Sequence, residues 1–149
     1  MNNEYIPAGY RAVMPALAVK NAQAALDWYC ENFGAVKKMV LKDKSGTVVH
    51  SEIIIGDSVV IVSEENPAYN MSPQTLKGNS INIMMYVREV DEVIKNSVAN
   101  GARLVMAPED QFYGDRSGRI QDPFGYIWII STFLRHVSEK EMQDAIDSM

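Results

Sequence analysis

The sequence predicts an α+β fold in which one unit, strand-helix-strand-strand-strand, occurs twice. Three observations carry this. Apolar residues change from strand to helical spacing and back in the same order in each half of the chain. Both helical segments stop at a Gly-Ala pair, Gly34-Ala35 and Gly101-Ala102, that leads directly into a strand. Near the end, Asp122-Pro123-Phe124-Gly125 reverses the chain into an aromatic strand, Tyr126 to Phe133, because Pro fixes φ where the turn needs it and Gly frees it where the turn needs that.

In the first copy, Ala12 to Val19 reads as a strand, with Ala12, Met14, Ala16 and Ala18 on one face. Ala22 to Asn32 follows as a helix, with Ala22, Ala25, Leu26, Tyr29 and Phe33 inward. Val36 to Leu41 is the next strand, and Lys37-Lys38 is read as a solvated strand end. Asp43-Lys44-Ser45-Gly46 turns the chain into Thr47 to Ile55, and Gly56-Asp57 forms a hairpin into Ser58 to Ser63. The linker 64–79, with Pro67, Pro73 and Gly78, crosses to the second copy. There Ser80 to Val87 is the strand, and Val90 to Asn100 the helix, with Val90, Val93, Ile94 and Val98 inward. Arg103 to Met106 is a strand, and a long loop, Ala107 to Gly118, precedes the final hairpin. Ser138-Glu139-Lys140-Glu141 is a capping-box pattern opening a terminal helix that runs through Met149 and packs outside. The expected organisation is one domain, 1–149, with module one at 11–63, the linker at 64–79, module two at 80–133 and the helix at 138–149. Four twisted strands with one helix bury only one sheet face, so duplication gives the other face something to close on.

Composition excludes several classes. A net charge of −5 with no Lys/Arg cluster argues against a nucleic-acid partner. One cysteine, Cys30, excludes an intrachain disulfide, and its place beside an apolar helix face reads as an inert thiol in a reducing compartment. No apolar run approaches spanning length, and the start lacks a basic leader followed by an apolar core, so a cytoplasmic protein without membrane contact is expected.

Taken together, Met14-Pro15-Ala16-Leu17, Phe33-Gly34-Ala35, His50-Ser51-Glu52 before Ile55-Gly56-Asp57-Ser58, Ser72-Pro73-Gln74-Thr75-Leu76, and Gly114-Asp115-Arg116 followed by Asp122-Pro123-Phe124-Gly125 and Trp128 resemble the vicinal oxygen chelate superfamily. This is also called the glyoxalase and bleomycin-resistance superfamily, and the likeness is to its PhnB-like branch. The resemblance implies two βαβββ modules whose mixed sheets curl into a cup around a small-molecule cavity. It also implies a homodimer, with the cup built from one chain's modules or from two.

Enzymes of that superfamily hold a divalent metal, and the resemblance locates its ligands. Their His or Gln on the first strand of module one falls at Met14, their His on the first strand of module two at Asn82, and their last-strand carboxylate at Ile129. A ligand from the last strand of module one would fall at Ile61 or Ser63. A thioether, an amide and an aliphatic chain are poor donors for zinc, nickel, iron or manganese, so no metal and no cofactor is expected.

His50 and Glu52 lie two apart on a strand, about 7 Å between Cα atoms, and so share a face. Val49, Ser51, Ile53 and Ile55 make the more apolar alternate face, which leaves Val48, His50, Glu52 and Ile54 as a polar cavity wall or an exposed strand face. A carboxylate beside an imidazole is also a candidate catalytic pair. Arg116 has two readings: a guanidinium at the cup mouth that binds an anionic ligand group, or an ion pair with Asp115 or Asp122 pinning the long loop. Gly114 and Gly118 on either side favour the second. Tyr113 could line the opening. Met14, Asn82, Met84 and Ile129 would line the interior, where methionine adapts to irregular apolar or aromatic compounds, or these residues simply fill a core. Two functions follow. One is a metal-free protein holding an apolar or aromatic compound, like the bleomycin-resistance members. The other is an isomerase, lyase, dioxygenase or thiol transferase using a displaced metal site or His50 and Glu52.

Overall fold

In the computed structural model, which describes residues 4–149, both copies of the repeat form four-stranded mixed sheets, each carrying one long helix. The chain divides into two units, Met1–Gly78 and Asn79–Met149.

The first unit runs β1 (Ala16–Val19), α1 (Ala22–Phe33), β2 (Val36–Lys42), β3 (Val48–Ile55), β4 (Ser58–Glu64) and a short α2 (Pro73–Leu76). Its sheet order is β1-β4-β3-β2, with β1 parallel to β4 and the other pairs antiparallel. Asn21 caps α1 through its side chain, and Gly34 ends it at φ 65, a left-handed conformation that costs a residue without Cβ little. The apolar stripe of α1 is buried as expected, against Leu17, Val19, Ile53, Val60 and Val62. Ser51 sits among them because its hydroxyl donates to the Val62 carbonyl.

The first strand is shorter than expected. Ala12 and Val13 lie in a bend, and ladder bonding begins at Pro15, whose carbonyl accepts from Ile61 N–H. Pro15 has no N–H to extend the ladder, so Met14 and Ala12 do not alternate on a strand with Ala16 and Ala18. In β3 a register shift opposite Leu41 and Lys42 inserts Val49. Val48 is consequently buried and Val49 exposed, the reverse of the expected faces, and regular alternation resumes from Ser51. Lys37 and Lys38 are exposed, as expected, but each also pairs with a carboxylate. They point to opposite faces, Lys37 to Asp27 of α1 at 2.6 Å and Lys38 to Glu52 at 3.3 Å.

The linker is tied down by Glu65. Its carboxylate accepts from Ser72 N–H at 2.8 Å and from the Thr75 hydroxyl at 2.7 and 2.8 Å, which fixes the start of α2. The Ser72 hydroxyl and N–H, with Thr75, hold the Glu65 carboxyl at about 2, below its ordinary 4.5. A depressed carboxyl stabilises the fold above its unfolded value and ceases to as pH falls through its folded one. The attachment of α2 is therefore complete above 4.5 and is lost towards about 2. In an NMR titration the Thr75 and Leu76 amides should shift with a midpoint near 2 rather than 4.5, and Glu65→Gln should abolish that titration.

The second unit runs β5 (Asn82–Tyr86), α3 (Val90–Ala99), β6 (Arg103–Asp110), β7 (Asp115–Gln121), β8 (Ile127–Phe133) and α4 (Glu139–Asp147). Its order, β5-β8-β7-β6, repeats that of the first, with β5 parallel to β8. The parallel pairings span the same sequence separation in both units, Ala16 to Ile61 and Asn82 to Ile127. Val90 and Ile94 of α3 are buried as expected, but Ser97 takes the inward place expected of Val98, which is exposed.

The expected long loop at 107–118 is instead a hairpin. β6 continues to Asp110, absorbing Pro108 at a register shift where the ladder does not need its missing N–H, and the turn is confined to 111–114. Gly118 is not a turn residue. It lies inside β7, where an added Cβ would stand 2.5 Å from Ile94 Cδ1 and 3.0 Å from the Met106 carbonyl, so glycine here lets α3 approach the sheet. The capping box of α4 forms through Ser138 and Glu141, and α4 has no buried residue.

Candidate functional site

Each sheet has a face that its own helix does not cover, and each such face carries one buried carboxylate. In the first unit it is Glu52, 7% exposed. Alternation along β3 sends Ser51 and Ile53 towards α1 and Glu52 away from it. The turn closed by Tyr10 N–H to the Pro7 carbonyl brings Tyr10 over Glu52. Tyr10 Oη donates to Glu52 Oε2 at 2.7 Å, Lys38 Nζ donates to Tyr10 Oη and to the same carboxylate oxygen at 3.3 Å, and His50 Nε2 pairs with Glu52 Oε1 at 3.1 Å. The Tyr10 hydroxyl first, then His50 and Lys38, hold the Glu52 carboxyl below its ordinary value, outweighing burial that would raise it. The Tyr10 contact in turn pushes Lys38 up.

Beside this network is a cavity of about 470 Å³, lined by Ile6, Pro7, Tyr10, Arg11, Met14 and Glu52 among others. The expected pair, His50 and Glu52, is thus brought together, and Met14 shares the cavity wall with Glu52. Tyr10, Arg11 and Lys38 were not foreseen. Tyr10 lies in an aperiodic segment far from Glu52 in sequence, and only the ladder register brings Lys38 beside that carboxylate.

In the second unit the buried carboxylate on that face is Asp115, 4% exposed. Tyr86, Ser131 and Ser117 are paired across three strands. Ser131 Oγ donates to Ser117 Oγ at 2.9 Å, and Tyr86 Oη reaches on to donate to Asp115 Oδ2 at 2.8 Å. That contact, helped by burial and by the nearby Tyr113, pushes the Tyr86 phenol up and keeps it protonated. Tyr113 is half-buried, Asn82 and Met84 are exposed, and half-buried Ile129 is the ladder partner of Met84.

Arg116 does not share this face, and neither expected partner holds it. It is paired with Thr132, whose hydroxyl accepts from Val90 N–H at the start of α3. Its guanidinium is engaged by Asp91 at 2.9 and 3.2 Å and by Asp110 at 2.9 Å. Asp115 is held by Tyr86, and Asp122 accepts from Phe124 N–H, Tyr126 N–H and Trp128 Nε1. A second concavity, about 390 Å³ between Ile94, Leu104 and Pro108, has the neutralised Asp91 and Arg116 on its wall.

At the three positions where the resemblance would put metal ligands, the side chains are weak donors or none. Met14 offers a thioether, Asn82 an exposed amide and Ile129 nothing. Among the described residues, no three His, Cys, Asp or Glu side chains gather as a metal-ligating group. Among the same residues, no helix is long and apolar enough to cross a membrane.

Two mixed four-stranded sheets of identical order, each bearing one helix, define the class. The model of the Glyoxalase/Bleomycin resistance protein/Dioxygenase superfamily matches residues 11–130, and the chain belongs to that superfamily. An uncharacterised protein of Mycobacterium bovis is 33% identical over 141 residues, covering 92% of this chain and 93% of its own. Among solved structures, TioX from Micromonospora sp. ML1 superimposes with a TM-score of 0.65 at 25% identity, covering 83% of this chain and 99% of TioX. The PhnB protein from Bacillus cereus gives 0.64 at 14% identity, covering 82% and 99%, which is a likeness of fold.

Proposed function

We propose that this protein binds a small apolar or aromatic compound without a metal and releases it unchanged, as a cytoplasmic homodimer of the PhnB-like branch. The observation that carries the reading is the cavity between the N-terminal segment and Glu52, whose wall is largely apolar and whose one carboxylate is already satisfied by three donors. A carboxyl held below its ordinary range is a weak proton acceptor near neutral pH, which favours binding over proton abstraction. Such a volume suits a compound of one or two rings. The lone thiol, Cys30, agrees with a reducing compartment.

The test is a fluorescence titration with 2-naphthol. Saturable binding with the compound recovered intact is expected, and Met14→Lys, which sets a charge into the wall, should weaken it by about tenfold or more. Protein incubated with nickel, zinc, iron and manganese and then dialysed should retain no stoichiometric ion. A retained ion, or a chemically altered compound, refutes the reading.

One observation favours the enzyme alternative: the Glu52 carboxylate fixes His50 through Nε2, and an imidazole donating there offers its Nδ1 lone pair as a base. That alternative predicts turnover lost in both His50→Ala and Glu52→Ala.

A further inference from the structure

Of the two readings of Arg116, the anion-binding one is left no free donor, because its guanidinium is engaged by Asp91 and Asp110. Arg11 is not. We propose that Arg11 is the anion anchor of the first unit's cavity, and that the compound held there is an organic anion, an apolar or aromatic body carrying a carboxylate. The proposal rests on reading that cavity as a binding site, and it follows from the hydrogen-bonding capacity left on its wall.

Two other polar groups there, Glu52 and Tyr10, are already satisfied, while the Tyr5 phenol is mostly exposed to water. Glu52 takes contacts from Tyr10, Lys38 and His50, and the Tyr10 hydroxyl donates to Glu52 and accepts from Lys38. The charge of Glu52 is offset by Lys38 at 3.3 Å. Arg11, by contrast, lines the cavity with its fork of N–H donors unused among the described residues. Its nearest countercharge is Asp57 Oδ2 at 3.6 Å, beyond hydrogen-bonding range. Both side chains of that pair are mostly exposed, at 59% and 83%, so water screens it. Asp57 is not part of the cavity wall. An incoming carboxylate would therefore meet a guanidinium shaped to bind it with two parallel bonds, while Ile6, Pro7 and Met14 cover its apolar body. An ammonium would meet Arg11 as a like charge and find Glu52 already surrounded by donors.

Calorimetric titration of the full-length protein at low salt with 2-naphthoate, 2-naphthol and 2-naphthylmethylammonium separates the possibilities. Naphthoate should bind about tenfold or more tightly than the ammonium compound. Arg11→Gln should reduce naphthoate affinity about tenfold and leave naphthol within about twofold, since only the former makes the ionic contact. Among the described residues Arg11 makes no hydrogen bond, only the screened pair with Asp57, so this variant should retain its structure, which circular dichroism checks. Asp57→Asn, which removes the competing charge outside the wall, should strengthen naphthoate. If the ammonium compound binds as well as naphthoate, or if Arg11→Gln weakens naphthoate and naphthol alike, the anion anchor is wrong while the cavity remains a binding site. If none of the three binds, the reading of the cavity fails and the anchor fails with it.

Discussion

Asp122→Ala should destabilise the second unit by about 3–5 kcal/mol, the largest effect expected of a single polar substitution in this chain. Asp122 is buried and accepts from Phe124 N–H at 2.9 Å, Tyr126 N–H at 3.0 Å and Trp128 Nε1 at 2.8 Å. Alanine deprives all three donors at once in an environment that water does not reach, and stranded donors cost more than the average worth of the bonds they lose. The Pro-Gly turn is therefore held by its own first residue. Calorimetry should show the unfolding midpoint falling by about 10 °C. Trp128→Phe, which removes the indole donor and leaves a cavity at a fully buried site, should cost about 2–3 kcal/mol, and in the Asp122→Ala background less by the worth of the bond already gone. Full additivity of the two changes would contradict this account.

Gly114→Ala should cost about 3 kcal/mol or more, through backbone geometry rather than lost contacts. Gly114 adopts φ 100, and a Cβ there would stand 2.2 Å from the Arg135 carbonyl oxygen and 3.0 Å from Val137 Cγ2. The first neighbour is backbone and is itself fixed, because Leu134 and Arg135 N–H both donate to the Gly114 carbonyl, at 3.0 and 3.1 Å. Relief requires breaking those bonds and releasing the segment that follows β8. Hydrogen exchange should report this locally, with the Leu134 and Arg135 amides losing protection before those of β7. Gly56→Ala is the control. It shares a positive φ, 59, but its Cβ would meet open space, so the cost should be only about 1 kcal/mol. Equal losses in the two variants would show that conformation alone, and not the approach of Arg135, sets the penalty.

Much of the fold was legible because its signals are local. Gly34 and Gly101 mark helix ends, helical spacing marks Leu26 and Tyr29 as inward, and Asp122-Pro123-Phe124-Gly125 writes its own turn. What was not legible depends on register. The inserted Val49 exchanges the faces of its neighbours, and the strand read as ending at Met106 is carried past Pro108 by a register shift. Charge partners were the hardest to foresee. Arg116 adjoins Asp115 in sequence yet bonds Asp91 across the sheet-helix interface, since adjacent strand residues face opposite ways. His50 and Glu52 were found because period two keeps them together, whereas Tyr10 and Arg11 sit in a segment with no period, and nothing in the sequence announces the wall they form.

The long-range parallel pairings have a consequence for synthesis. A nascent chain leaving the ribosome cannot seat the opening strand of either unit until that unit's closing strand has emerged, Ile61–Glu64 for Ala16–Val19 and Ile127–Ser131 for Asn82–Tyr86. Until then each opening strand leaves its pairing edge unsatisfied beside a nearly finished hairpin, and the apolar Leu17 and Val19 are available to chaperones during that interval.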